Sequence, residues 1–329
     1  MLIYLLLGLG SAILAVMLTP LVARASRLLG LVDAPGGRKV HTESVPRLGG
    51  LVIVVASMLG MILALAVAPG RPVPDIWTTL GPLLLAGGLI FAVGLLDDIR
   101  GLRPGPKLAI ELVAALMVMT SGLLIQTVTL LGVSWDLGWL AWPVTVVWLV
   151  GLTNAFNLLD GIDGLAAGIA VIAGGACGAI LVVRGHPAEA MLLAAVVGAA
   201  LGFLVYNFAP ASIFLGDCGS LLFGFILAAT AIAGWQKGAT ALATGVPLLI
   251  FALPIADSAG TLIRRGFARR GGPISIGSVL RQLAEPDREH IHHRLVGLGW
   301  STRRTVLILY AVTGVLSMLA LATARVEMP

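Results

Sequence analysis

The sequence predicts an all-α polytopic membrane protein of about ten transmembrane helices, one of them broken, with a polar active site on the cytoplasmic face. Three observations carry this expectation. The 329 residues are 58% hydrophobic and 11% charged, with a mean hydropathy of +1.03, whereas soluble domains are nearer half apolar and about a quarter charged. Apolar stretches of roughly 17–25 residues, the length that crosses a bilayer, recur along the whole chain. Of the 21 lysines and arginines, 17 fall in alternate loops, the asymmetry that fixes orientation in a membrane.

The first span, near 2–22, has no basic residue ahead of it. It runs about 20 residues, against the 7–15 of a signal-peptide core. Despite the small-x-small look of Ala23-Arg24-Ala25 it therefore reads as a retained helix. Further spans follow near 48–68, 76–96, 108–125, 136–153, 164–183, 188–207, 213–234, 239–263 and 304–323, the fifth and eighth with polar ends. In the ninth, Pro254 frees backbone carbonyls and bends the helix. A broken helix opening a lipid groove and a salt bridge from Asp257 to Arg264 or Arg265 stand there as equal readings. The 42 glycines suit close helix packing in lipid. Alternation in strands of about ten residues is absent, which argues against an outer-membrane barrel. No repeat or low-complexity linker divides the chain, so 1–329 reads as a single domain, with about 264–303 as a substrate-binding insertion. Only two cysteines are present, Cys177 and Cys218, both inside apolar runs and read as packing residues.

The basic residues orient the spans. Arg24, Arg27, Arg38, Lys39 and Arg47 lie in the first loop, Arg100, Arg103 and Lys107 in the third. The ninth adds Arg264, Arg265, Arg269, Arg270, Arg281, Arg288, Arg294, Arg303 and Arg304. These loops are expected to be cytoplasmic and both termini to lie on the other side. The net charge of +5 is thereby a topology signal, and nucleic acid is not expected as a partner.

Six aspartates, Asp97, Asp98, Asp160, Asp163, Asp217 and Asp257, come from four segments yet sit at helix ends on the same predicted side. Acids in apolar context are costly and mark sites; independent helix caps are the plainer alternative. Asp75, Asp136 and Glu189 need no more than a structural role, and Glu111 is given none. Clustered carboxylates without cysteine favour a hard cation, Mg²⁺ or Mn²⁺. With Lys107 and the arginines around them they describe a site for a nucleotide diphosphate. A transporter of an anionic or metal solute is the rival class, but it would place charges at mid-bilayer or show inverted repeats.

The most informative segment is NAFNLLDGIDGLA, from Asn154 to Ala166. Asp160 and Asp163, each followed by glycine, make a turn that brings two carboxylates and free N–H groups together. Asn154 and Asn157 supply amides suited to a base or sugar. With RKVHTESVPRLGG (Arg38 to Gly50), DDIRGLRPGPK (Asp97 to Lys107), FLGDCGS (Phe214 to Ser220) and DREHIHHRL (Asp287 to Leu295), five motifs stand in one order. In that order the chain resembles the polyprenyl-phosphate N-acetylhexosamine-1-phosphate transferases of bacterial membranes, the MraY/WecA/TagO superfamily.

The resemblance implies Mg²⁺-dependent transfer of a sugar 1-phosphate from a UDP-sugar to a polyprenyl phosphate, with release of UMP. It makes Asp97, Asp98, Asp160 and Asp163 catalytic, and Asp217 and Asp98 the metal ligands. It places Lys107 on phosphate, Phe214 on the uracil face, and His290, His292 and His293 on the diphosphate or sugar. Asn154, Asn157 and Asn207 are further substrate contacts; for Arg38 and His41 of the first loop the motif match favours phosphate contact over the alternative of a topology determinant. On a helix His290 and His293 would share a face, but four zinc ligands are not evident. The HxHH spacing after Asp287-Arg288 looks like the WecA/TagO branch. That branch implies UDP-GlcNAc as donor, an undecaprenyl-type acceptor, the bacterial inner membrane, and the start of a cell-envelope glycan such as lipopolysaccharide or teichoic acid. An MraY-like donor is the alternative, and a homo-oligomer is left open.

Overall fold

The structure, a computed structural model, describes residues 1–33, 44–67, 76–130, 133–235, 245–268 and 290–326. It is a helical bundle. Its elements are α1 (Leu2–Leu28), α2 (Gly49–Val67), α3 (Ile76–Arg100), α4 (Pro104–Thr120), α5 (Ala141–Leu159), α6 (Leu165–Val183), α7 (Pro187–Asn207), α8 (Asp217–Trp235), α9 (Gly245–Ile250), α10 (Ala252–Ala268), α11 (Ile291–Gly297) and α12 (Thr302–Val326). Among the described residues eight helices are long and apolar enough to cross a membrane: α1, α2, α3, α5, α6, α7, α8 and α12. The chain is thus a polytopic integral membrane protein, with eight such helices where the sequence suggests about ten.

The two remaining spans have physical reasons to differ. The fourth, expected over 108–125, is the 17-residue α4. Pro104 starts it early, its missing N–H being harmless at the first position. Ser121 and Gly122, the latter at φ 102°, end it. The ninth is two helices parted at Phe251, because Pro254 has no N–H to give the carbonyl of Ile250. The expected break is there, three residues ahead of the proline.

Helix α8 is the axis: 94% of its membrane-length stretch is buried, against 22% for α1 at the edge. It packs on α3, α5 and α6, while α7 bridges α6 to α1 and α2. Small residues set these distances. A side-chain carbon at Gly224 of α8 would overlap the backbone of Leu152 and Thr153 on α5. Carbons at Gly198 and Gly202 of α7 would overlap Gly8 and Ala12 of α1. Glycines four apart let helix backbones approach in lipid.

Two short antiparallel hairpins depart from an all-helical reading. One pairs β1 (Val32–Asp33) with β2 (Val45–Pro46). The other pairs β3 (Thr127–Leu130) with β4 (Val133–Asp136), setting Val128 opposite Trp135. The second hairpin and a 3₁₀ turn at Gly138–Leu140 occupy the start of the predicted fifth span. Helix α5 is therefore displaced toward the C-terminus and carries Asn154 and Asn157 in its last turns.

Candidate active site

The site assembles where α3 ends and α8 begins. Helix α3 runs past its predicted end, so Asp97 and Asp98 lie on its last turn. Asp98 caps the neighbouring helix: its two oxygens accept the N–H groups of Asp217 at 2.9 Å and Cys218 at 3.0 Å. A carboxylate there meets the positive end of the α8 dipole. The close approach requires glycine at position 216, where φ is 77°. A side-chain carbon at Gly216 would press on both Asp98 oxygens and on the Arg47 carbonyl.

Lys107, in the first turn of α4, bridges the acids. Its Nζ lies 2.9 Å from Asp97 Oδ2 and is paired with Asp217 Oδ2. The other Asp97 oxygen accepts the Leu102 N–H at 2.5 Å, fixing the turn between α3 and α4.

The end of the first loop is stitched to the segment before α8. Phe214 N–H donates to Pro46 at 2.8 Å, and Gly49 and Gly50 donate to Phe214 and Leu215 at 3.0 and 2.8 Å. Arg47 is paired with Asp33 of β1. Arg38 and His41 lie outside the described residues.

The turn between α5 and α6 joins from the other side. Asp160 follows the last residue of α5 and accepts a hydrogen bond from the Gly216 N–H. Burial, and then the nearby charges of Asp217 and Asp98, push its carboxyl well above the usual carboxylate range. Asp163 accepts the Ala211 N–H at 2.9 Å. Tyr310 of α12 donates to the carbonyl of Gly164 at 2.5 Å, and Gly164 has φ 78°.

The histidine segment lies against this turn. A side-chain carbon at Gly161 would collide with the His292 ring and approach His293 Nε2 at 3.4 Å. His292 is 1% exposed and neither ring nitrogen has a partner among the described residues. Burial and the neighbouring His293 hold it far below the ordinary histidine range, so it is neutral. The His290 and His292 rings stack at 5.8 Å with 6° between planes, and His293 follows at 4.3 Å. His290 and His293 are not on one helix, the condition under which they would share a face. His290 precedes α11 in an extended conformation (φ −62°, ψ 150°), held there by Asp257. Asp257 is thus tied to His290, while of the alternative partners Arg264 bonds Thr261 and the Arg265 side chain lies outside the described residues.

The amides are placed differently from one another. Asn157 donates to Ser220 Oγ at 3.0 Å, joining α5 to α8 beside the acids. Asn154 gives its two hydrogens to Glu111 at 2.5 Å and to Val150 at 2.9 Å. Asn207 is 1% exposed and donates to Ile213 at 2.9 Å, closing the loop that leads to Phe214, which is itself half-buried. The sequence alone gives no role to Glu111 or Tyr310. Glu111, a charged residue at the start of a span and one turn beyond Lys107, was the one with a visible signal.

The family model described as Glycosyl transferase family 4 matches residues 80–235, from α3 to the end of α8. The chain is 36% identical to the probable undecaprenyl-phosphate N-acetylglucosaminyl 1-phosphate transferase of Bacillus subtilis (strain 168), over 94% of this chain and 82% of that protein. It is 33% identical to the decaprenyl-phosphate N-acetylglucosaminephosphotransferase of Mycolicibacterium smegmatis, over 97% and 81%. It is 32% identical to a phospho-N-acetylmuramoyl-pentapeptide-transferase of Halalkalibacterium halodurans, over 94% of both chains.

Proposed function

The chain belongs to glycosyl transferase family 4, and on that premise we propose that it transfers GlcNAc 1-phosphate from UDP-GlcNAc to a polyprenyl phosphate of undecaprenyl type, releasing UMP. The observation that carries this is the convergence of Asp97 and Asp217 on the Lys107 ammonium, with Asp98 and Asp160 bonded to the backbone at the start of α8 beside them. The names of the Bacillus and Mycolicibacterium relatives supply the sugar and the acceptor class. The positive bias of the loops at that end orients the site to the cytoplasm of a bacterial inner membrane.

Among the described residues Asp97 and Asp217 share the Lys107 ammonium, with Asp98 and Asp160 beside them, an acid-rich set of oxygens that suits a hard divalent cation. Mg²⁺ takes one or two carboxylates and completes its shell with substrate phosphates. Asp217 is the best placed to hold it, since Asp98 already gives both oxygens to the α8 backbone. When bound, such an ion offsets charge on the diphosphate and on the departing UMP. Lys107 binds phosphate oxygens beside it. Asp98 holds the start of α8 in place, and the turn at Asp160 with His292 and His293 closes the donor side. A phosphate oxygen of the acceptor then attacks the β-phosphorus of the donor, forming the new P–O bond as the bond to UMP breaks. Phosphate monoesters are largely ionised near neutrality, so no strong base is required.

Purified protein in detergent with UDP-GlcNAc, polyprenyl phosphate and Mg²⁺ should release UMP. A donor panel including UDP-MurNAc-pentapeptide tests the second reading, which the Halalkalibacterium relative favours. No UMP from any donor with folded protein overturns the proposal.

A further inference from the structure

Asp257 is an acid of the sequence cluster to which the reaction outlined above gives no part. It lies on α10, past the break at Phe251, and is 2% exposed. Its oxygens divide their work. Oδ1 accepts the Ile291 N–H at 2.7 Å, capping the first turn of α11, and Oδ2 meets His290 Nδ1 at 3.0 Å. His290 is 3% exposed, and its other nitrogen, Nε2, is buried with no partner among the described residues. A carboxylate only accepts, so in the neutral ring it holds the proton on Nδ1 and leaves Nε2 as a bare acceptor. A buried acceptor without a donor is costly, and the rings stacked beside it lead directly to the Asp160–Gly164 turn.

We propose that Asp257 is a positioning residue that fixes the plane and tautomer of His290, so that Nε2 accepts a hydrogen bond from a hydroxyl or N–H group of the sugar nucleotide. This rests on the transferase reading above. It also joins the broken ninth span to the site: α10 carries the carboxylate, and the histidine segment is attached to α10 through it. The relation is that of a carboxylate holding a histidine by one nitrogen so that the other can act.

The substitution D257N separates positioning from capping. The asparagine carbonyl still caps Ile291, but its NH₂ group now faces Nδ1 and drives the proton to Nε2. Selective ¹⁵N-histidine labelling of the 329-residue chain, which has five histidines, reads the tautomer directly, with H290Q identifying the resonance. The wild type should show Nδ1–H, and D257N should show Nε2–H. In UMP release D257N should lower kcat/KM by about 10²-fold or more, as a wrong tautomer does elsewhere, with an unchanged melting temperature. H290Q should lose as much, and the double variant D257N/H290Q no more than either alone. Additive losses, an unchanged tautomer, or near-wild-type turnover in D257N each overturn the proposal. If the wild type releases no UMP the transferase reading fails and takes the role of Nε2 with it, whereas the labelling still decides whether the pair exists.

Discussion

At the scale of single residues, the site is held by groups whose alternatives can be enumerated. Lys107 pairs with both Asp97 and Asp217, and no other lysine or arginine is seen bridging two of these acids among the described residues. Lys107→Met leaves facing carboxylates unbalanced and removes a phosphate ligand. Its kcat for UMP release should fall by roughly 10²–10³-fold, the scale for one electrostatic group aimed at developing charge; turnover within about threefold of wild type would count against the role. Gly216→Ala should act through stability as well. The residue sits at φ 77° with Asp98 oxygens where the methyl would go, a strain of about 1–3 kcal/mol. A lower melting temperature in detergent, together with lost activity, is the expected result. Of the residues singled out from sequence, the acids, Lys107 and the histidines meet at one end, which was legible from the acids' place at predicted helix ends on one side and from the order of the five motifs. The amides were less legible. Nothing in the string NAFN shows that the Asn154 hydrogens go to Glu111 and Val150 while Asn157 goes to Ser220. Such partners come from α4 and α8, which only the tertiary arrangement brings near.

At the scale of elements, most helices could be read from apolar length, because a bilayer imposes it. What could not be read were features shorter than the reading window. The β3–β4 hairpin lies between two apolar runs and merges with them, and of the three histidines only His290 stands outside α11, held extended by Asp257. The seating of α11 has a testable pH dependence. His292 is buried and neutral, held well below the ordinary histidine range, while in an undocked segment it would titrate near 6.5. The undocked state therefore binds more protons below that pH, so docking is at full strength above about 6.5 and weakens as pH falls toward the docked value. Hydrogen-exchange protection of the α11 amides, corrected for intrinsic rate, should drop by up to about tenfold per pH unit below 6.5. In His292→Gln that dependence should flatten. Protection that rises on acidification would contradict the burial argument.

At the scale of the whole molecule, charge and packing give the same two ends. The acids, Lys107 and the histidine segment gather at one end, and the β3–β4 hairpin lies at the far end of α4 and α5. The far end is rich in exposed tryptophan, with Trp77 at 78% and Trp139 at 78%, as expected of rings at a membrane–water boundary. Orientation then follows from the basic residues, most of which lie in loops at the acid end, so the site should open to the cytoplasm and the hairpin to the outside. The chain is suited to a direct test, because Cys177 and Cys218 are both fully buried and silent to a bulky reagent. Leu298→Cys, at a residue 74% exposed just past α11, should react with an impermeant maleimide in inside-out vesicles and not in intact spheroplasts. Trp139→Cys should do the reverse. Labelling of Leu298→Cys from the outside would invert the topology. It would also remove the site from the compartment where sugar nucleotides are made, and the proposed reaction could not then take place there.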